Sequence, residues 1–241
     1  MEKCYSKTKS YNSASIEKKK NIIVDKNKEP ANRQLSTTQF RLLGILPLAF
    51  FTAQAIHYSQ IKQLGHMLWM CNIGNLLLAL GLFFEAAILI RVAVIWMVPG
   101  VAVWFFYVVP TWGMLLTGRF SHGEVFGVLS STLAHLGGFA VGIAVLRKVG
   151  MDARGWFYAF IWYFVVQLFS RLVTPAQMNV NLSHGIQAGW EQTFSSYWRF
   201  WLVLTVLVGA GLWILGIILK TFWPASPGAL EASDLSFDEL R

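Results

Sequence analysis

Val92-Ala93-Val94-Ile95-Trp96-Met97-Val98-Pro99-Gly100-Val101-Ala102-Val103-Trp104-Phe105-Phe106-Tyr107-Val108-Val109-Pro110 runs for nineteen residues without a charged side chain. A helix needs roughly 20 such residues to cross the hydrocarbon core of a bilayer. Similar runs recur on both sides: Phe40–His57 and Met67–Phe84 before it, then Val125–Leu146, Trp156–Val173 and Phe200–Leu219. The expected fold is all-α, a polytopic membrane bundle of about six transmembrane helices. Helices satisfy their own backbone hydrogen bonds where no water is present. Strands of a membrane barrel alternate polar and apolar residues, and these runs do not.

The rest of the composition agrees. The chain has 241 residues, 55% hydrophobic and 13% charged, against about 25% charged in a soluble domain. Ten of the 20 Lys and Arg precede Leu42, and the net charge is +8. Such an excess serves nucleic-acid binding elsewhere, but here it reads as a topology signal, and no nucleic-acid partner is expected. With the N-terminus in the cytoplasm, the basic tail, Arg91, Arg147, Lys148, Arg154, Lys220 and Arg241 all fall inside. Lys62, Arg119, Arg171 and Arg199 fall outside. The expectation is an N-in/C-in multi-pass protein of a bacterial inner (cytoplasmic) membrane. Cys4 and Cys71 then sit toward opposite faces and form no disulfide. The N-terminus lacks the apolar core of a cleavable signal peptide, so the first helix reads as an anchor. Residues 1–39 are too polar to fold alone. With the Pro/Gly-containing, then acidic, stretch 224–241 they read as disordered tails flanking a helical domain over 40–223.

Polar residues gather toward the expected outer half. Cys71 and Asn75 share a face of the second helix, bordered by Asn72. Ser131 and Thr132 line the face of His135 in the fourth, where Gly138 and Gly142 form a small-xxx-small pair. Gln167, Ser170, Arg171 and Thr174 form a polar face ending the fifth. Arg171 suits a phosphate as a bidentate partner, or snorkels to the interface. Ionisable groups in a membrane helix point to function, although helix–helix hydrogen bonding accounts for the asparagines equally well. A buried thiol needs a nearby base to become a nucleophile, and His135 is the candidate. Counted from the expected helix starts, Cys71 lies about 6 Å and His135 about 15 Å below the outer boundary. Tilt or a later start to the fourth helix has to close that difference.

His57, His66, His122 and His184, with Glu124 and Glu191, allow a surface metal site to be considered. No HxxxH-like spacing supports it, so neither a metal nor another cofactor is expected.

Four short segments appear in a recognisable order: Trp69-Met70-Cys71-Asn72, Leu133-Ala134-His135-Leu136, Met178-Asn179-Val180-Asn181-Leu182 and Tyr197-Trp198-Arg199-Phe200-Trp201. The order resembles the YwaF-like/transmembrane protein 164 family of integral membrane acyltransferases, over roughly residues 60–205. That family is similar to the androgen-induced membrane lipid hydrolases. The resemblance implies Cys71 as nucleophile, His135 as base, and Asn179 and Asn181 as members of the same site. The chain departs from the vertebrate pattern at the cysteine, where no proline precedes it and Asn72 follows.

The functional expectation is an integral membrane lipid acyltransferase or lipid hydrolase, working through a Cys–His pair and an acyl-thioester on membrane lipids. Cys71 and His135 are the catalytic candidates, Asn72, Asn75, Ser131, Asn179 and Asn181 the supporting ones, and Arg171 the substrate-binding one. The alternative is a non-enzymatic transporter or assembly factor.

Overall fold

The computed structural model describes residues 37–116 and 122–225. Both tails, Cys4 and Arg119 lie outside the described residues, as does the side chain of His122. Eight α-helices are described: α1 (Thr37–Leu43), α2 (Ile45–Gln60), α3 (Met70–Phe83), α4 (Ala87–Leu116), α5 (His122–Thr132), α6 (Gly138–Val149), α7 (Gly155–Val173) and α8 (Tyr197–Phe222). A π-helical turn, Leu133–Gly137, joins α5 to α6 without a break in the rod. Short 3-10 turns cover Leu64–Leu68, Ala176–Met178 and Val180–Leu182. Among the described residues there is no strand, only a lone bridge between Met151 and Pro224.

The fold is an all-α membrane-helix bundle. Among the described residues five helices are long and apolar enough to cross a membrane: Thr38–Gln60, Ala87–Gly113, Gly123–Val149, Gly155–Val173 and Tyr197–Phe222. The sixth expected span, Met67–Phe84, is shorter than anticipated. Its helix α3 has 14 residues, about 21 Å of rise. The 3-10 turn Leu64–Leu68 precedes it.

The charge-free stretch that opens the sequence reading is the centre of the molecule. Every residue from Ile90 to Met97 is buried, as expected of a helix apolar on all sides. Beyond Pro99, among the described side chains of this helix, only Trp104 and Val108 are buried, while Phe105, Phe106 and Tyr107 are exposed. Small residues let the neighbouring helices approach this axis. A Cβ added at Gly81 would lie 2.8 Å from Ile90, and one at Gly142 would lie 3.1 Å from Val94. Helices α3 and α4 run antiparallel in a fixed register: Gly81 meets Ile90, Gly74 meets Met97, and Cys71 meets Gly100.

Two ends of the bundle differ in chemistry. One end holds the Arg41–Glu85 ion pair at 3.1 Å and the Arg91–Asp152 pair at 2.6 Å. The turn Arg147–Gly155 therefore does more than connect two helices. Arg91 is only 3% exposed. Its Nε donates to the Gly150 carbonyl at 2.8 Å and its Nη1 to Asp152 Oδ2. Asp152 Oδ1 accepts from the N–H groups of Arg154 and Gly155 at 2.9 Å each, starting α7. Gly150, at φ +70°, makes the turn in a conformation that suits only glycine. The segment after α8 straps across it: Met151 N–H donates to Trp223 O, and Ala225 N–H to Met151 O.

The other end gathers the histidines. His57 lies against Gly127, the Tyr58 ring packs 5.3 Å from that of His66, and His184 bonds to Thr174. Met178 and Thr174 in turn press on Gly65. This end carries the candidate site.

Candidate functional site at the histidine end of the bundle

Cys71 is the second residue of α3. No side chain caps this helix start; Asn72 N–H donates to Trp69 O at 2.9 Å, while the N–H groups of Met70 and Cys71 come too early in the helix for an intrahelical acceptor. The positive end of the helix dipole favours negative charge there. The thiol is partly buried and free, with its Cβ against Gly100 of α4. Any side chain at Gly100 would press on it.

His135 sits in the π-helical turn. The turn has a local cause. Gly138 N–H reaches back to Leu133 O, five residues earlier, and to His135 O. It does not take the Ala134 carbonyl. That carbonyl accepts from Asn75 Nδ2 of α3 at 2.9 Å instead. A polar side chain inserted into the ladder opens the helix by one residue, the local geometry known as a π-bulge. Gly138 is the residue that makes room, since Asn75 Oδ1 occupies the space a Cβ would take.

The imidazole orientation follows. His135 Nδ1 lies 2.8 Å from the Ser131 carbonyl. A carbonyl only accepts, so Nδ1 carries the proton and the neutral ring leaves a lone pair on Nε2. Trp104 of α4 stacks on the ring, with centroids 5.1 Å apart and planes inclined by 11°. The indole N–H donates to Ser131 Oγ at 3.0 Å. Ser131 thus holds His135 through its backbone and Trp104 through its side chain. Thr132, expected on the same face, bonds back to Val128 O.

The fourth helix starts at His122, earlier than the expected Val125, so a later start does not close the expected depth difference between the thiol and the imidazole. Two links join the neighbourhoods. Asn75 donates both to Cys71 O, at 3.0 Å, and to Ala134 O. Gly100 and Trp104, one turn apart on α4, touch Cys71 and His135 respectively. Among the described residues no hydrogen bond joins the two side chains directly.

The remaining candidates sit around this pair. Asn72 Nδ2 donates to His66 O at 3.0 Å, bracing the turn before α3. Asn181 Nδ2 donates to Leu68 O at 2.7 Å and to Ser170 Oγ. Asn179 Oδ1 accepts from the N–H groups of His184 and Gly185, closing its own loop. Asn179, Asn181 and Leu182 all have positive φ. Asparagine tolerates that region, whereas at Leu182 it stores strain. Asn181 braces the turn before α3, and Asn179 closes its own loop. Their hydrogen bonds go to the loop, α7 and Leu68, not to the thiol or the imidazole. Arg171 spans this loop as well, donating to Ser183 O at 2.6 Å.

Trp104 escaped the sequence reading, although an indole N–H inside an apolar stretch needs an acceptor and was the available signal. Gln54, which donates to Ser130 Oγ at 2.9 Å and ties α2 to α5, was also missed. Among the described residues no group of three or more His, Cys, Asp and Glu gathers as metal ligands do.

His66 gives the site edge a pH dependence. Burial holds it below its ordinary value of 6.5, and its Nδ1 accepts the Trp69 indole N–H at 3.0 Å. Protonation turns that acceptor into a donor. The unfolded chain binds the proton first, so this contribution is complete above about pH 6.5 and is lost as pH falls through the lower folded value. The melting temperature of the wild type should therefore drop more between pH 7.5 and pH 5 than that of His66→Gln. Equal drops would assign no such role to His66.

Comparison of the chain with protein-family models, curated proteins and solved structures finds no match.

Proposed function

We propose that the protein is an integral membrane lipid acyltransferase or lipid hydrolase in which Cys71 attacks a glycerophospholipid ester and His135 manages the proton. The observation that carries this reading is the oriented His135. Its ring is fixed by Ser131 and Trp104 with the Nε2 lone pair available, and Trp104 lies one turn of α4 from Gly100, which packs on a thiol at a helix start that no side chain caps. A histidine needed only for helix packing has no use for an unpaired nitrogen in hydrocarbon.

The sulfur adds to the ester carbonyl, and the thiol proton passes to Nε2. The C–O bond then breaks, and the proton goes to the leaving lysolipid oxygen. A thioester on Cys71 results. A second lysolipid hydroxyl (transfer) or water (hydrolysis) attacks the thioester, with His135 accepting the proton and returning it to sulfur. The α3 N–H groups stabilise the carbonyl oxygen as it becomes negative. Among the described residues no hydrogen bond joins thiol and imidazole, and catalytic hydrogen bonds are often long before substrate binds. Insertion with the N-terminus in the cytoplasm of a bacterial inner membrane belongs to the same reading, and puts the site in the outer half of the bilayer.

The test is direct. The purified protein, in lipid, is incubated with an alkyne-tagged fatty-acyl phospholipid and probed for a hydroxylamine-sensitive adduct. The wild type should form one and Cys71→Ala should not. An adduct that persists in Cys71→Ala, or none in the wild type while a related enzyme is labelled in parallel, rejects the thioester. The second reading, a non-enzymatic transporter or assembly factor, has its own support. Gln54, Asn72, Asn75 and Gln167 all donate hydrogen bonds within the protein, as helix-packing residues do.

A further inference from the structure

Arg171, in the last turn of α7, is held in an arrangement that helix packing alone does not account for. Its guanidinium carbon lies 4.8 Å from the Tyr197 ring centroid and 5.1 Å from that of Trp198. One N–H is donated to Ser183 O at 2.6 Å, and the Tyr197 hydroxyl donates to the same carbonyl at 2.5 Å. A guanidinium has five N–H donors in a rigid fork. Among the described residues no carboxylate pairs with Arg171; the ion pairs there belong to Arg41 and Arg91. Ser183, whose carbonyl holds both groups, also keeps a buried hydroxyl without a partner.

The setting is that of a membrane boundary. Trp190, Phe194, Tyr197 and Trp198 cluster around the start of α8 through the ring contacts Trp190–Phe194 and Tyr197–Trp198. Such aromatic belts mark the headgroup level. Trp198 and Leu172, neighbours of the cation in the chain or in space, are exposed. A fixed, always-charged fork with no carboxylate partner at that level matches a phosphodiester, which accepts two parallel N–H bonds. A snorkelling side chain would extend freely to water and would not be held over two adjoining rings.

We infer that Arg171, with Tyr197 and Trp198, forms a binding site for the phosphate headgroup of a membrane phospholipid. The site stands apart from the Cys71 chemistry, so it is tested without it. The full-length Cys71→Ser protein in detergent is titrated with dioleoyl phosphatidylglycerol, dioleoylglycerol and inorganic phosphate, and bound ligand is read by native mass spectrometry. Phosphatidylglycerol should bind, and dioleoylglycerol, which has the same chains without the phosphate, should bind far more weakly. Arg171→Gln and Arg171→Lys should each weaken phosphatidylglycerol about tenfold, since both lose the fork. The lysine variant keeps the charge and guards against loss of fold in the glutamine one. Unchanged binding in both variants overturns the site, as does equal binding of dioleoylglycerol. Displacement of the lipid by millimolar inorganic phosphate overturns its assignment to lipid.

Discussion

Asp152→Ala should lower the stability of the protein by about 3–5 kcal/mol, the usual cost of stripping one partner from a buried ion pair. Arg91 is 3% exposed, and its Nη2 already lacks a partner. Removing the carboxylate leaves Nη1 unpaired as well, and a guanidinium cannot shed its proton to escape. The same substitution removes the acceptor of the Arg154 and Gly155 N–H groups at the start of α7, a loss of about 1 kcal/mol on its own. Asp152→Asn separates the effects, because the amide oxygen still caps α7 while the charge is gone. In detergent-based unfolding the wild type should have the highest midpoint, Asp152→Asn the next and Asp152→Ala the lowest. A double variant, Arg91→Met with Asp152→Asn, should recover part of the loss, because no unpaired buried charge is left. If Asp152→Ala unfolds like the wild type, Arg91 is not held by this pair.

His135→Ala should slow thioester formation by a factor of about 10²–10⁴, the typical contribution of a positioned proton acceptor. Trp104→Phe should cost less. Phenylalanine retains a ring against the imidazole but loses the bond to Ser131 Oγ that fixes Trp104. The two variants distinguish proton transfer from packing. Raising the pH should restore part of the labelling in His135→Ala, since solvent then takes the thiol proton, and should do nothing for a protein whose α3–α5 contact is damaged. Normal labelling in His135→Ala, with labelling abolished in Cys71→Ala, would leave the nucleophile in place and remove the histidine from the mechanism.

Much of this molecule was legible in its sequence because a bilayer imposes one-dimensional rules. A charge-free stretch such as Val92–Pro110 has to be helical, and its length fixes whether it reaches across. That reasoning located all five long helices, within a few residues for most of them. Helix α4, read as Val92–Pro110, extends to Ala87–Leu116, since apolar length alone does not mark where a helix stops. The second span was read too long. Hydropathy records that Met67–Phe84 is apolar, but not that its first residues form a 3-10 turn tied by Leu68 O to the loop at Asn181.

Where the groups meet was decided only by the tertiary structure. Asn75 was visible as a polar residue one turn from Cys71, and Gly138 as half of a small-residue pair. Nothing in either position says that they touch, that Asn75 takes the Ala134 carbonyl from Gly138, or that the helix opens into a π-turn at His135. The clamp on Arg171 and the burial of Asp152 against Arg91 are of the same kind. The sequence by itself determined which segments leave water, because that depends on the composition of each segment alone. The structure alone decided which polar atoms find partners, because a hydrogen bond depends on positions set by residues far apart in the chain, 59 apart for Asn75 and Ala134 and 61 for Arg91 and Asp152.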